Sequence, residues 1–331
     1  MKITNAVRNL STFSKMLQAK IFYRRFPLSV TFIITYRCNF QCHYCDVYSG
    51  DEKEMTTPEI FSMINQLVAM GMRRLGINGG EPLLREDIGD IITYAKKKKL
   101  YVTLFTNGSF VPEKIQEIKG VDLLLMSLDG PCYIHDAQRS WGSFDMVIEA
   151  LKVAKDAGLN IWTNTVITKH NVDSLDFILG LANTFKIKTI YQPVWYYSHS
   201  TQVNKINELS PDKEQYHLFI DRLIQEKKRG GPVAHSFAYL HYIRNPDWRY
   251  NKRHCWASKL YCAITPSGKV APCYPIFKDK EWPNGLVLGF RQALKSILEF
   301  SCNGCYCILV ENDFFFSLHP EVVCNTLKEL K

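Results

Sequence analysis

The stretch Val30-Thr-Phe-Ile-Ile-Thr-Tyr36-Arg-Cys38-Asn-Phe-Gln-Cys42-His-Tyr-Cys45 decides how the rest of the chain is organised. Its first half is β-branched and aromatic, which predicts a strand over residues 30–36. Its second half puts three cysteines on the loop that leaves the strand. Three thiolates so close together make a metal site. Zinc would normally take a fourth protein ligand, for which His43 is available, whereas a [4Fe-4S] cluster held by three thiolates leaves one iron free for an outside ligand.

Downstream, short apolar runs alternate with polar helical stretches, the rhythm of a parallel sheet. Further strands are expected over 74–78, 101–106, 122–127, 160–167 and 189–195. Helices are expected near 57–71, 87–99, 111–118, 144–157 and 173–184, with Thr57 before Pro58 as a cap and first-turn pair. Five crossovers for six strands predict an α/β fold, a partial (β/α)6 TIM-like barrel whose chemistry gathers at the C-terminal strand ends. Past a helix near 212–229 the chain turns aromatic, Pro- and Gly-containing and cysteine-rich, a segment that a metal cluster would help hold together. The expected organisation is a basic amphipathic helix over 1–27, the barrel over 28–230, and a small cysteine-rich C-terminal domain over 231–331.

With 46% hydrophobic and 22% charged residues the composition is that of an ordered globular chain. The net charge of +9 is concentrated at one end. Lys2, Arg8, Lys15, Lys20, Arg24 and Arg25 face no acid among the first 25 residues, where Val7, Leu10, Phe13, Leu17 and Ile21 recur at near-helical spacing. Such a helix either packs on the barrel or rests peripherally on an anionic membrane. This distribution does not call for nucleic acid as a partner. The absence of a spanning run or signal-peptide pattern points to the cytoplasm. In that compartment clustered cysteines, part of a total of eleven, more often bind metal than form disulfides.

Three more motifs fall at expected strand ends. Asn78-Gly79-Gly80-Glu81-Pro82 pairs glycines, which let backbone approach a ligand closely, with a carboxylate that can accept from an ammonium group. Thr106-Asn107-Gly108 and Ser127-Leu-Asp-Gly-Pro131 are ordinary turn chemistry taken singly. His135, Asp136 and Arg139 follow; Arg139 either clamps a carboxylate bidentately or pairs with Asp136.

In combination these motifs resemble those of the radical SAM superfamily, over residues 30 to about 197. The resemblance implies that Cys38, Cys42 and Cys45 hold a [4Fe-4S] cluster whose open iron chelates S-adenosylmethionine (SAM), and that an electron from the cluster splits SAM to a 5′-deoxyadenosyl radical. It also implies that Tyr44 lies against the adenine, and that Gly79, Gly80 and Glu81 bind the SAM amino group. Thr106, Asn107, Ser127 and Arg139 become contacts to the rest of the cofactor, and a flavodoxin or ferredoxin the reducing partner.

A second group of cysteines spans Cys255 to Cys307, with Cys262-Ala-Ile-Thr-Pro-Ser-Gly268-Lys-Val-Ala-Pro-Cys273 predicting two short strands around a turn. Spacing alone would also suit a zinc ribbon. The segment resembles the SPASM and twitch extensions of radical SAM enzymes, which hold auxiliary [4Fe-4S] clusters, and its short cysteine count resembles the one-cluster twitch form of the 2-deoxy-scyllo-inosamine dehydrogenases. That likeness assigns Cys255, Cys273, Cys302 and Cys305 to an auxiliary cluster, with Cys307 as an alternative to Cys305 and with Cys262 and Cys324 left over.

The resulting expectation is an enzyme that abstracts hydrogen from a small metabolite, sugar or lipid precursor, the auxiliary cluster accepting the electron or positioning the substrate. The aromatics of 191–197 could line a sugar or lipid site, and Phe314-Phe-Phe316, with the basic N-terminal helix, adds to the lipid option. Cys132 and Cys262 would be hydrogen donors if the outcome were epimerisation. The alternatives are a peptide-modifying SPASM maturase and a non-catalytic iron-sulfur or zinc protein that binds nucleic acid.

Overall fold

A computed structural model describes residues 26–194, 207–245, 255–278, 281–297 and 309–321, together with Ser14. The N-terminal helix expected before residue 26 (Ser14 apart), the aromatics at 195–197 and Cys302, Cys305, Cys307 and Cys324 lie outside the described residues.

Six parallel strands run in chain order: β1 Ser29–Ile33, β2 Arg74–Asn78, β3 Tyr101–Thr106, β4 Leu123–Ser127, β5 Ile161–Ile167 and β6 Lys188–Pro193. The helices between them are α1 Thr57–Met70, α2 Ile88–Lys97, α3 Val111–Ile118, α4 Cys132–Gln138, α5 Ser143–Asp156 and α6 Leu175–Phe185. Sheet and helices enclose a main apolar core, in which Phe32, Ile64, Leu104, Leu124 and Leu151 are fully buried. The barrel stays open among the described residues, with β6 at one edge of the sheet.

Three local details differ from the sequence expectation. The cap of α1 is Thr56 rather than Thr57: Glu59 accepts from the Thr56 N–H at 2.7 Å and its hydroxyl at 2.8 Å, while Thr57 donates to Asp87 instead. Strand β1 stops at Ile33 because Thr35 Oγ1 accepts from the Arg37 N–H at 3.0 Å and turns the chain. Helix α4 has only seven residues after Pro131, too few for a periodic pattern to show.

The C-terminal part is joined to the barrel by backbone. After α7 Lys213–Lys228 and α8 Phe237–Arg244, strand β7 Tyr261–Ile264 pairs parallel with β1, Val30 opposite Cys262, and antiparallel with β8 Val270–Ala271. The sheet therefore runs β6-β5-β4-β3-β2-β1-β7-β8. Helices α9 Gly285–Leu288, α10 Phe290–Ser296 and α11 Leu309–Phe316 complete this part. Phe314 and Phe316, read from sequence as a lipid contact, are buried in the common core, where Phe316 stacks on Tyr261 at 6.2 Å. Among the described residues no helix is long and apolar enough to cross a membrane.

Candidate cofactor site at the strand ends

Each of β2 to β6 sets a polar side chain on one cavity: Asn78, Thr106 and Ser127 as the last residues of β2, β3 and β4, Asn164 from the middle of β5 and Gln192 next to last in β6. Cys38, Cys42 and Cys45 line the same cavity, with Tyr44, Gly79, Gly80, Asn107 and Arg139. The C-terminal part contributes Tyr274, next to Cys273, and Leu309. A parallel sheet sets such side chains on one side by construction, so Cys38 and Gln192, 154 positions apart in sequence, share one wall.

The cysteine loop is pinned from several sides. The Cys45 N–H donates to the Cys42 carbonyl at 3.0 Å, the His43 N–H to the Gln138 carbonyl at 2.9 Å, and Asn107 Nδ2 to Asn39 Oδ1 at 2.8 Å. The His43 side chain is exposed and is not part of the cavity wall. Among the described residues no three His, Cys, Asp or Glu side chains gather as they would around a single metal ion. Burial pushes the thiol of Cys38 up to about 11 and that of Cys45 to about 12, and raises Cys42 although Arg139 pulls it back. Thiols raised this far stay protonated near neutral pH, and a bound cationic centre would draw their protons off.

The two glycines make close contact with protein. A Cβ on Gly79, whose φ is +147°, would stand 2.3 Å from the Thr35 carbonyl oxygen, and one on Gly80 would stand 2.2 Å from that of Arg37. The Gly80 N–H donates to the Thr35 carbonyl at 2.8 Å and the Glu81 N–H to the Arg37 carbonyl at 2.9 Å. The glycine pair thus lets the end of β2 seam onto the chain entering the cysteine loop, while both residues still line the cavity.

Glu81 is fully buried and is not a wall residue. One carboxylate oxygen accepts from the Leu83 N–H at 3.0 Å and Thr106 Oγ1 at 2.8 Å, the other from the Asn107 N–H at 2.8 Å. Burial raises its pKa to about 7 against these three donors. The structure uses this carboxylate to tie β2 to β3.

Asp129, which the sequence reading passed over, is the most connected residue of the site. Its Oδ2 accepts from the Tyr44 hydroxyl and from Arg139 Nε, both at 2.7 Å, and its Oδ1 from the Val166 N–H at 3.0 Å. Its own N–H donates to His135 Nδ1 at 3.1 Å. Arg139 therefore pairs with Asp129. Asp136, the partner considered from sequence, accepts from the Gly142 and Phe144 N–H groups and caps α5. With Nε taken, Arg139 can offer a carboxylate only its outer nitrogens. The Ser127-Leu-Asp motif held the clue: its aspartate is the one ionisable group on that strand end.

At the second cysteine group, Cys255 Sγ lies 3.6 Å from the Tyr261 hydroxyl, and Cys273 is buried just beyond β8. Cys262 is a core residue of β7 whose thiol burial pushes up to about 12. Cys132 is exposed on α4. Neither Cys132 nor Cys262 lines the cavity.

The family model described as the Radical SAM superfamily matches residues 32–182. The mycofactocin maturase MftC of Mycolicibacterium smegmatis is 30% identical over 261 residues, covering 77% of this chain and 66% of that one. That of Mycobacterium ulcerans is 30% identical over 279 residues, covering 82% and 75%. The chain thus spans just under two thirds of the length of the first of these relatives. Among solved structures, Streptococcus suis SuiB bound to the precursor peptide SuiA has a TM-score of 0.69 at 15% identity, over 86% of this chain and 70% of that one. Native anSMEcpe with bound AdoMet and the Kp18Cys peptide scores 0.64 at 16% identity, over 91% and 99%. At these identities the likeness is one of fold.

Proposed function

Since the chain belongs to the radical SAM superfamily, in the subgroup whose barrel carries a C-terminal SPASM/twitch extension, we propose that it is a peptide-modifying radical SAM enzyme. One observation carries the reading: the three thiols, the two glycines and a polar side chain from each of five strands converge on one cavity. When bound there, the cluster and SAM supply an electron and a carbon radical that takes hydrogen from an unactivated C–H bond. Cys38, Cys42 and Cys45 would hold the cluster. Tyr44, Gly79, Gly80, Thr106, Asn107, Ser127 and Arg139 would hold SAM, and Asn164, whose Oδ1 has no hydrogen-bond partner among the described residues, offers a further acceptor. Glu81 would act on the cofactor by positioning Thr106 and Asn107.

A peptide substrate fits better than the small metabolite expected from sequence. The 30%-identical relative is a maturase, and both structures of like fold hold a peptide. The lipid variant loses the support that rested on Phe314 and Phe316, which lie in the core. Cys255 and Cys273, with Cys302 and Cys305, would hold an auxiliary [4Fe-4S] cluster, and a flavodoxin or ferredoxin would supply electrons.

The test is anaerobic reconstitution with iron and sulfide, reduction with dithionite and addition of SAM. Release of 5′-deoxyadenosine, lost in each of Cys38→Ala, Cys42→Ala and Cys45→Ala, is the expected result. No release from protein with intact cluster spectra would sink the enzyme reading. Deuterium passing into 5′-deoxyadenosine from an amino sugar, and from no peptide encoded beside the gene, would restore the metabolite reading.

A further inference from the structure

Arg139 is a buried cation held on three sides. Its Nε donates to Asp129 Oδ2 at 2.7 Å, its guanidinium carbon lies 5.6 Å from the centroid of the Tyr44 ring, and its Nη1 is 3.9 Å from Cys42 Sγ. The pair with Asp129 is dry, with side-chain exposures of 6% and 0%. Asp129 cannot swing away, because its other oxygen is bonded to the Val166 N–H and it also holds the Tyr44 hydroxyl. The guanidinium is therefore held in place, with its Nη1 N–H directed at the middle cysteine of the triplet.

Resting on the cluster reading above, we infer that Arg139, positioned by Asp129, donates an N–H···S hydrogen bond to Cys42 and raises the reduction potential of the cluster held there. Hydrogen bonds to ligand sulfur and local charge are the two protein levers on such potentials. One electron from an outside reductant adds one negative charge to the cluster, no proton is needed, and a fixed cation at low dielectric favours the reduced form. The same residue thus eases the reduction on which SAM cleavage depends, before SAM is present.

The experiment is an EPR-monitored redox titration of reconstituted, SAM-free holoprotein, wild type against Arg139→Gln and Arg139→Lys, following the signal that responds when SAM is later added. Arg139→Gln should lower the reduced-to-oxidised ratio at fixed potential about tenfold, which is about 59 mV for one electron. Arg139→Lys, which keeps the charge and loses the fork, should fall between. An exchangeable proton coupled to the reduced cluster in ENDOR spectra should vanish in Arg139→Gln. An unchanged midpoint in iron-replete Arg139→Gln overturns the inference, as do equal shifts for Gln and Lys. Should Arg139→Gln not retain iron, an unchanged midpoint and unchanged proton coupling in Arg139→Lys overturn it as well. A wild-type protein whose cluster ignores SAM and yields no 5′-deoxyadenosine would instead strike at the proposed function.

Discussion

Glu81 accepts the backbone N–H of Asn107 at 2.8 Å, so the ends of β2 and β3 are joined by a carboxylate that faces protein on every side. Glu81→Gln should cost about 1–3 kcal/mol of stability in protein without SAM, because a buried amide cannot accept from all three donors. Urea unfolding measures this. SAM affinity by calorimetry should change less than tenfold (about 1.4 kcal/mol). A variant as stable as wild type yet unable to bind SAM would return Glu81 to the cofactor.

The close seam at Gly80 predicts a position-specific cost. Gly80→Ala would push a methyl group into the Arg37 carbonyl, whereas Gly142, at φ +76°, has nothing within 4 Å of its would-be Cβ. Gly142→Ala should cost about 1 kcal/mol for conformation alone. Gly80→Ala should cost more than about 2 kcal/mol and lower the iron bound at the triplet. Equal unfolding midpoints for the two would contradict the seam.

His135 is fully buried, and burial lowers its pKa to about 4. Its neutral ring accepts from the Asp129 N–H. A depressed histidine contributes stability that is present above its ordinary pKa of about 6.5 and lost as pH falls through 4, up to about 3 kcal/mol across that window. Denaturation curves between pH 7 and 4 should show the loss in wild type and a shallower one in His135→Asn.

The two kinds of cysteine near the hairpin separate by iron count. Cys262, in the core of β7, should tolerate Cys262→Ala with about 1–2 kcal/mol lost and no change in iron per chain. Cys273→Ala should lose the auxiliary iron and keep SAM cleavage. Iron loss in the first variant and none in the second would reverse the assignment.

Asn164 Oδ1 is a buried acceptor without a donor on the cavity wall. Asn164→Ala should weaken SAM binding about five- to tenfold, the worth of one hydrogen bond. Unchanged affinity would hand this side chain to the substrate.

Much of this was legible in the chain because the barrel rests on short-range signals. Apolar runs and polar crossovers placed six strands within a few residues, and motif spacing brought Cys38, Gly79, Thr106 and Ser127 to one wall. What stayed hidden depends on partners distant in sequence. The Asp129–Arg139–Tyr44 knot spans 85 residues between Tyr44 and Asp129, and whether Glu81 faces ligand or protein turns on a rotamer. The parallel pairing of β1 with β7 joins segments more than two hundred positions apart, with no periodicity to announce it.

That pairing has a practical meaning for anyone dissecting the protein. The strand that leads into the cysteine triplet is flanked by β2 on one side and β7 on the other. The extension is therefore no detachable cassette: cutting the chain before β7 would strip one whole side from β1 and bare a raw edge beneath the triplet. Grafting it onto another barrel means matching the register of Ser29 with Tyr261, as well as supplying cysteines.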